Sequence, residues 1–148
     1  MRCEEIMKKD VECVTPRDTA ENVAAKMRDH NVGFLPVCDE DRKVLGAVTD
    51  RDIAIRLVAE GKSASTPAEQ IMTSDCVACS PGDDLERAQQ LMAKHQKSRI
   101  MCTDADGRLI GIISLSDIAR HGSGDRASET LRQVSAREAK PLQAQPGM

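Results

Sequence analysis

The chain states the same pattern twice. Gly46-Ala47-Val48-Thr49-Asp50-Arg51-Asp52-Ile53-Ala54 returns as Gly111-Ile112-Ile113-Ser114-Leu115-Ser116-Asp117-Ile118-Ala119. The offset, from Gly46 to Gly111, is 65 residues, and it holds without a gap back to Ile6-Met7 and Ile71-Met72. A fixed-period repeat dictates architecture, because each unit buries a face that only its neighbour can cover. Each copy also ends an apolar run on a hydroxyl and a carboxylate, so a candidate ligand grip is duplicated along with the fold.

Each repeat reads as β-α-β-β-α. In the first, residues 11–14 are expected as a short strand that Thr15-Pro16 breaks. Thr19 then caps a helix whose Ala20, Val23, Ala24 and Met27 fall at helical spacing, and Asn31 and Gly33 close it. Residues 34–38 are a strand, 39–42 a charged turn and 44–49 a third strand. A second helix starts at Asp50 and carries Ile53, Ala54, Leu57 and Val58. The second copy places strands at 76–79, 99–102 and 109–114, a helix over 83–94 with Leu85, Ala88 and Met92 inward, and another helix from Leu115. Cys3-Glu4-Glu5-Ile6-Met7 and Ala68-Glu69-Gln70-Ile71-Met72 are matching short lead-in helices. The expected division is residues 1–60, a small-residue linker over 61–67, residues 68–122, and a tail over 123–148. Within the tail, residues 125–140 can form a helix with Ala127, Leu131 and Val134 on one side, for docking or dimerisation, and residues 141–148 have the composition of a disordered end.

Composition narrows the function classes. A chain of 148 residues with 40% hydrophobic content can build a core for one domain or two halves. The net charge of −3 gives no basic excess that would point to nucleic acid. No apolar run approaches the ~20 residues that span a membrane, and Met1-Arg2-Cys3-Glu4-Glu5 lacks the apolar stretch of a secretory signal. A cytoplasmic location is expected. Phe34 is the single aromatic residue, so a flat ligand must be held by aliphatic side chains and backbone, which argues against single-strand nucleic-acid platforms built on base stacking.

Six cysteines are many for a cytosolic chain. Cys76-Val77-Ala78-Cys79 spells CxxC, a spacing used for zinc or redox chemistry. A strand points positions i and i+3 to opposite faces, and there is no second CxxC to complete a four-cysteine zinc site. Buried small hydrophobes is therefore the preferred reading. Cys13 and Cys38, each near a strand end in repeat 1, are candidates for a labile disulfide, against the reducing cytosol. His30, His95 and His121 have no nucleophile or carboxylate at catalytic spacing, and no enzyme is expected.

The repeated words suggest a site. Two such units can pack their sheets together with pseudo-twofold symmetry and equivalent clefts between them. At each cleft a third strand ends where a helix begins, and the free N–H groups of a helix start favour an anion. Thr49 and Ser114 put a hydroxyl there, and Asp52 and Asp117 add a carboxylate within the first turn. Such a carboxylate can accept from both hydroxyls of a ribose. Helix capping alone would also explain the pairs.

On the residues 30–37 (His30-Asn31-Val32-Gly33-Phe34-Leu35-Pro36-Val37), Gly46 to Asp52, and Ser114-Leu115-Ser116-Asp117-Ile118, the chain resembles a tandem pair of cystathionine-β-synthase (CBS) domains, a Bateman module. It is similar to small stand-alone bacterial CBS proteins over about residues 4–122. The resemblance implies an α+β fold of two β-α-β-β-α CBS domains packed sheet to sheet. It also implies a regulatory module that takes AMP, ADP, ATP or S-adenosylmethionine as ligand, requires no cofactor, forms a homodimer and acts on an unidentified protein partner. Asp52 and Asp117 match the ribose-binding Asp, and Thr49 and Ser114 the hydroxyl beside it. Val32, Phe34 and Pro36, with Val11, match positions lining the adenine slot. Arg99 falls where related sensors place a basic residue against phosphates, and Arg51 and Arg120 lie on the second helices where they can neutralise charge. Repeat 2 departs from the pattern: Met101 replaces the Pro, and Arg99 stands where repeat 1 has Phe34. The two clefts are therefore expected to be unequal. The alternatives are an interaction or stress-response protein with vestigial sites, and a Cys/His metal-binding protein.

Overall fold

The computed structural model describes residues 1–121 and 124–136. The expected disordered end, and the expected helix beyond residue 136, lie outside the described residues. The elements run α1 Cys3–Ile6, α2 Ala20–His30, β1 Phe34–Cys38, β2 Val44–Thr49, α3 Asp50–Asp52 continuing as π-helical turns over Ile53–Val58, a 3₁₀ turn Ala68–Gln70, β3 Ala78–Cys79, α4 Leu85–His95, β4 Arg99–Thr103, β5 Leu109–Ser114, α5 Leu115–His121 and α6 Gly124–Ser135.

Local signals explain most of these boundaries. The Thr19 hydroxyl accepts from the Asn22 N–H and starts α2; the Asp84 carboxylate accepts from the Glu86 N–H and starts α4. Both helices end on a left-handed residue at the same repeat position, Asn31 with φ 52° and Gln96 with φ 53°. β1 and β2 form an antiparallel pair, as do β4 and β5, and β3 joins β4 in parallel.

Five expectations need correction. Residues 11–14 are not a strand: Val14 alone bridges Val37, held by its N–H to Pro36 O and its carbonyl from Cys38 N–H. The strand expected over 76–79 is only Ala78–Cys79. In α2 the buried side chains are Ala20, Val23 and Met27, while Ala24 faces out. The second helix of repeat 1 widens into π turns, buries Leu57, and leaves Ala54 and Val58 exposed. The tail helix also turns a different face: Val134 and Thr130 are buried and Ala127 half-buried, whereas Leu131 is 53% exposed. Positions 127, 130 and 134 keep the i, i+3, i+4 rhythm, and α6 uses them to dock on repeat 2.

The two repeats exchange their lead-in segments. Cys3, Ile6 and Met7 pack with Cys79, Leu85, Met92 and Ile118 in the core of repeat 2. Ala68, Ile71 and Met72 pack with Val14, Val23, Leu35 and Leu57 in the core of repeat 1. Behind each exchange, the chain pairs with the partner repeat's β-strand: Lys8 with Ile112, and Thr73 with Ala47. The repeated glycine makes this approach possible. A Cβ at Gly46 would stand 2.6 Å from Thr73 O and 2.9 Å from Met72 Sδ, and one at Gly111 would stand 2.8 Å from Lys8 O and 2.7 Å from Met7 Sδ. A third core, of Cys38, Ala47, Met101, Leu109 and Ile112, joins the two sheets face to face.

All six cysteines are free thiols. Cys3, Cys79 and Cys102 meet in the core of repeat 2, with Cys79 Sγ 3.8 Å from Cys3 Sγ and 3.5 Å from Cys102 Sγ. Donation from its two neighbours favours the thiolate at Cys3, while Cys79 and Cys102 are held above the ordinary thiol range. Cys13 faces Cys38 without a bond between them. Burial, and then the nearby Cys13, push the Cys38 thiol up to about 12.

Two measurements check this packing. Gly46→Ala or Gly111→Ala should each cost roughly 1–3 kcal/mol in urea unfolding, because backbone oxygen must move to admit the methyl group. Gly82→Ala, whose Cβ would meet nothing within 4 Å, should change stability by less than about 0.5 kcal/mol. For Cys38 the folded state keeps a proton that the unfolded chain releases near the ordinary value of 9.0. Its contribution to stability is therefore complete below that pH and is lost as pH rises toward about 12. Cys38→Ala should make urea midpoints fall less steeply than those of the wild type above about pH 9.

Candidate functional site

The hairpin register brings the start of β1 and the end of β2 together, with Phe34 opposite Thr49. Thr49 then opens α3. Its hydroxyl accepts from the Asp52 N–H at 3.0 Å, and the Asp52 carboxylate accepts from the Thr49 N–H at 2.9 Å. This reciprocal cap satisfies donors that a helix start leaves orphaned. Ser114 and Asp117 repeat it: the Asp117 N–H donates to Ser114 Oγ at 3.2 Å, and the Ser114 N–H to Asp117 Oδ2 at 2.9 Å. Capping is thus one duty of both pairs. Both carboxylates are buried, Asp52 to 9% exposure and Asp117 to 4%.

A cleft of about 760 Å³ opens beside the first pair. Repeat 1 contributes Gly33, Phe34, Ala47 and the run Thr49 to Asp52. The crossing segment contributes Thr73, Asp75, Cys76 and Val77, and repeat 2 contributes Lys97, Ser98, Arg99 and Met101. Of the residues expected at a site, Phe34, Thr49, Arg51, Asp52, Arg99 and Met101 line this cleft. Val11, Val32, Pro36, Ser114, Asp117 and Arg120 do not. Stepping by the repeat offset, Val11 answers to Cys76, Val32 to Lys97, Pro36 to Met101, Ser114 to Thr49 and Asp117 to Asp52. Those five are the repeat counterparts of residues that line the cleft. Arg120 answers to Ile55, which does not line the cleft.

Sequence reasoning missed Thr73, Asp75, Cys76 and Lys97 as cleft residues. Thr73 comes from the exchanged segment, and its hydroxyl donates to Asp52 at 3.3 Å. Lys97 lies 4.0 Å from Asp75. The 65-residue offset could have found two of them, since Cys76 answers to Val11 and Lys97 to Val32, but nothing local marked the exchange that brings in Thr73 and Asp75.

Phe34 and Arg99 hold equivalent places in the two repeats, and they meet. The Arg99 guanidinium lies 5.4 Å from the Phe34 ring centre, a cation–π contact of about 0.5–1 kcal/mol at an exposed site. Gly33 has no side chain because the Asp50 carboxylate folds over it; a Cβ there would stand 2.7 Å from Asp50 Oδ2. Repeat 2 carries Leu115 in place of Asp50 and tolerates Ser98 in place of Gly33. The CxxC is divided: Cys79 points into the core and Cys76 into the cleft, where burial raises its thiol. Among the described residues, no group of three or more His, Cys, Asp or Glu side chains is placed to hold a metal ion, and no helix is long and apolar enough to cross a membrane.

Comparison with known proteins agrees with this construction. The sequence pattern of the CBS domain family matches residues 3–59 and 68–124. The CBS domain-containing protein YhcV of Bacillus subtilis is 38% identical over 130 residues, covering 87% of this chain and 91% of its own length. Hypoxic response protein 1 of Mycobacterium tuberculosis is 33% identical over 118 residues, covering 79% and 82%. A crystal structure of Hypoxic Response Protein I with two coordinated zinc ions superposes with a TM-score of 0.75 at 32% identity, over 82% of this chain and 98% of that one. The CBS domain pair of protein MJ0100, in complex with 5′-methylthioadenosine and S-adenosyl-L-methionine, gives a TM-score of 0.73 at 25% identity, over 81% and 94%. The unit that recurs at Gly46 and Gly111, completed by an exchanged lead-in helix, is therefore the CBS domain, and this chain belongs to that family as a tandem pair.

Proposed function

We propose that this CBS pair is a regulatory module that binds an adenosyl ligand in the cleft beside Thr49 and Asp52. The observation that carries the reading is the charge arrangement there. A buried carboxylate, Asp52, lines the same cleft as two guanidiniums, Arg51 and Arg99, and among the described residues neither guanidinium forms an ion pair. A ribose diol suits the carboxylate and a phosphate suits the guanidiniums. The adenosyl compounds bound by the structural neighbour MJ0100 support the same ligand class.

In this reading residues 1–60 and 68–122 are the two ligand-binding halves, 61–67 joins them, and 123–148 is an appendage. Ser114 and Asp117, with Val11, Val32 and Pro36, form the second site, where Arg120 neutralises charge. The module needs no cofactor, catalyses no reaction, forms a homodimer and adjusts a protein partner in the cytoplasm. Its free thiols suit that compartment.

Calorimetric titration of the purified chain with AMP, ATP and S-adenosylmethionine tests the reading. AMP and ATP should bind more tightly than S-adenosylmethionine, whose sulfonium adds positive charge beside Arg51 and Arg99. Asp52→Asn should weaken AMP binding at its cleft about tenfold or more, the order of a hydrogen bond to a charged group, and Asp117→Asn should remove the other class of site. No heat and no thermal shift with all three ligands would sink the reading and leave the sites vestigial.

A further inference from the structure

Three of the cysteines meet at one place, and the fold does not require thiols there. Cys79 on β3 and Cys102 on β4 are register partners in the parallel pair. Adjacent strands lie about 4.7–4.9 Å apart, inside the span of roughly 4.4–6.8 Å between Cα atoms over which a disulfide closes. The two side chains enter the same core, with Sγ atoms 3.5 Å apart. Cys3, on the exchanged α1, completes the trio: the Cys79 S–H donates toward Cys3 Sγ at 3.8 Å. Stepping by the repeat offset, Cys3, Cys79 and Cys102 answer to Ala68, Val14 and Val37. Those residues hold the matching seats in the core of repeat 1, where Val14 likewise bridges Val37 in parallel. Aliphatic side chains fill the same seats there, so packing alone does not ask for sulfur.

We propose that Cys79 and Cys102 are a dithiol that a hydroperoxide oxidises to a disulfide, with Cys3 as the base that takes the Cys79 proton. Cys79 is the point of access, 6% exposed against 0% for Cys3 and Cys102. Its proton passes to Cys3 Sγ, which donation from Cys102 and then Cys79 favours as the thiolate. The Cys79 sulfur attacks the peroxide, the O–O bond breaks, and the alcohol (water, from hydrogen peroxide) leaves with that proton. Cys79 is then a sulfenic acid. The Cys102 sulfur attacks it, the S–O bond breaks, and water leaves with the Cys102 proton. The peroxide gains two electrons and the dithiol loses two. The new bond ties the short β3 to β4 beside the cleft. Val77 and Met101, which line the cleft, are joined there by the Met101 N–H donating to Val77 O at 3.1 Å. Oxidation thus fastens the repeat 2 wall of the cleft.

Peptide mapping of the full chain tests the proposal. The native protein is treated with hydrogen peroxide, the remaining thiols are alkylated in urea, and the digest is read without reductant, fragmentation separating Cys79 from Cys76. Wild type should show a Cys79–Cys102 linkage that dithiothreitol reverses. Cys102→Val, which carries the residue type of repeat 1, should stop at a sulfenic acid on Cys79 that dimedone traps. Cys3→Ala should form the bond about tenfold more slowly or worse at pH 7, as loss of a positioned base predicts, and its rate should climb with pH where the wild-type rate stays flat. Survival of both thiols in the native protein would overturn the dithiol, as would a linkage formed only when peroxide is added in urea. Cys79 linked to Cys3 instead of Cys102 would overturn the pairing. An unchanged rate and pH profile in Cys3→Ala would remove Cys3 from the reaction.

Discussion

Two close backbone approaches organise this molecule: the crossing segment at Thr73 against Gly46, and its twin at Lys8 against Gly111. At each, a peptide group from one repeat lies where any side chain on the other would collide. The hydrogen bonds there, Ala47 N–H to Thr73 O and Ile112 N–H to Lys8 O, are reciprocated in both directions. They fix where Ile71 and Met72 enter one core and where Ile6 and Met7 enter the other. Neither repeat closes its own apolar face, which is why the duplication is structural as well as chemical. The same crossing delivers Thr73 to Asp52, so the packing constraint also builds the cleft.

In the proposed reading the acidic pairs serve fold and site with the same atoms. Thr49–Asp52 and Ser114–Asp117 each satisfy helix-start donors that would otherwise be orphaned. That duty holds the carboxylates in one orientation, and fixed acceptors are what a polyol recognition site needs. The two copies differ most in the neighbours of the pair. Thr73 and Arg56 crowd one carboxylate, whereas Lys8 and His121 occupy those places in the other copy. Phe34 and Arg99 show the same asymmetry. A ring and a cation at equivalent positions meet across the pseudo-twofold relation and become one contact.

The legibility of the chain followed the range of the interactions. Caps, turns and the left-handed helix ends depend on residues within a few positions, and α2, α4 and both hairpins could be read from them. Short edge segments were less legible. Residues 11–14 carry strand composition, yet only Val14 finds a strand partner, because the Val11 and Cys13 carbonyls accept from the Arg42 and Lys26 side chains instead. The π turns after Asp52 were also hidden, since nothing in Ile53 to Val58 distinguishes them from an ordinary helix. In α6 the choice of Thr130 over Leu131 as the buried residue depends on the surface of α4 and α5 that it meets, not on its own hydropathy.

The sequence alone therefore determined the repeat unit, its element order, the paired hydroxyl and carboxylate, and the inequality of the two copies, because all of these are carried by residue identity at a fixed offset. Tertiary structure decided which repeat each lead-in completes, which residues share a cleft, and which neighbours each carboxylate takes. Those depend on contacts between positions as distant as Met7 and Gly111, and no local pattern encodes which of two equivalent partners a segment will choose. Burial of both apolar faces at once makes that choice.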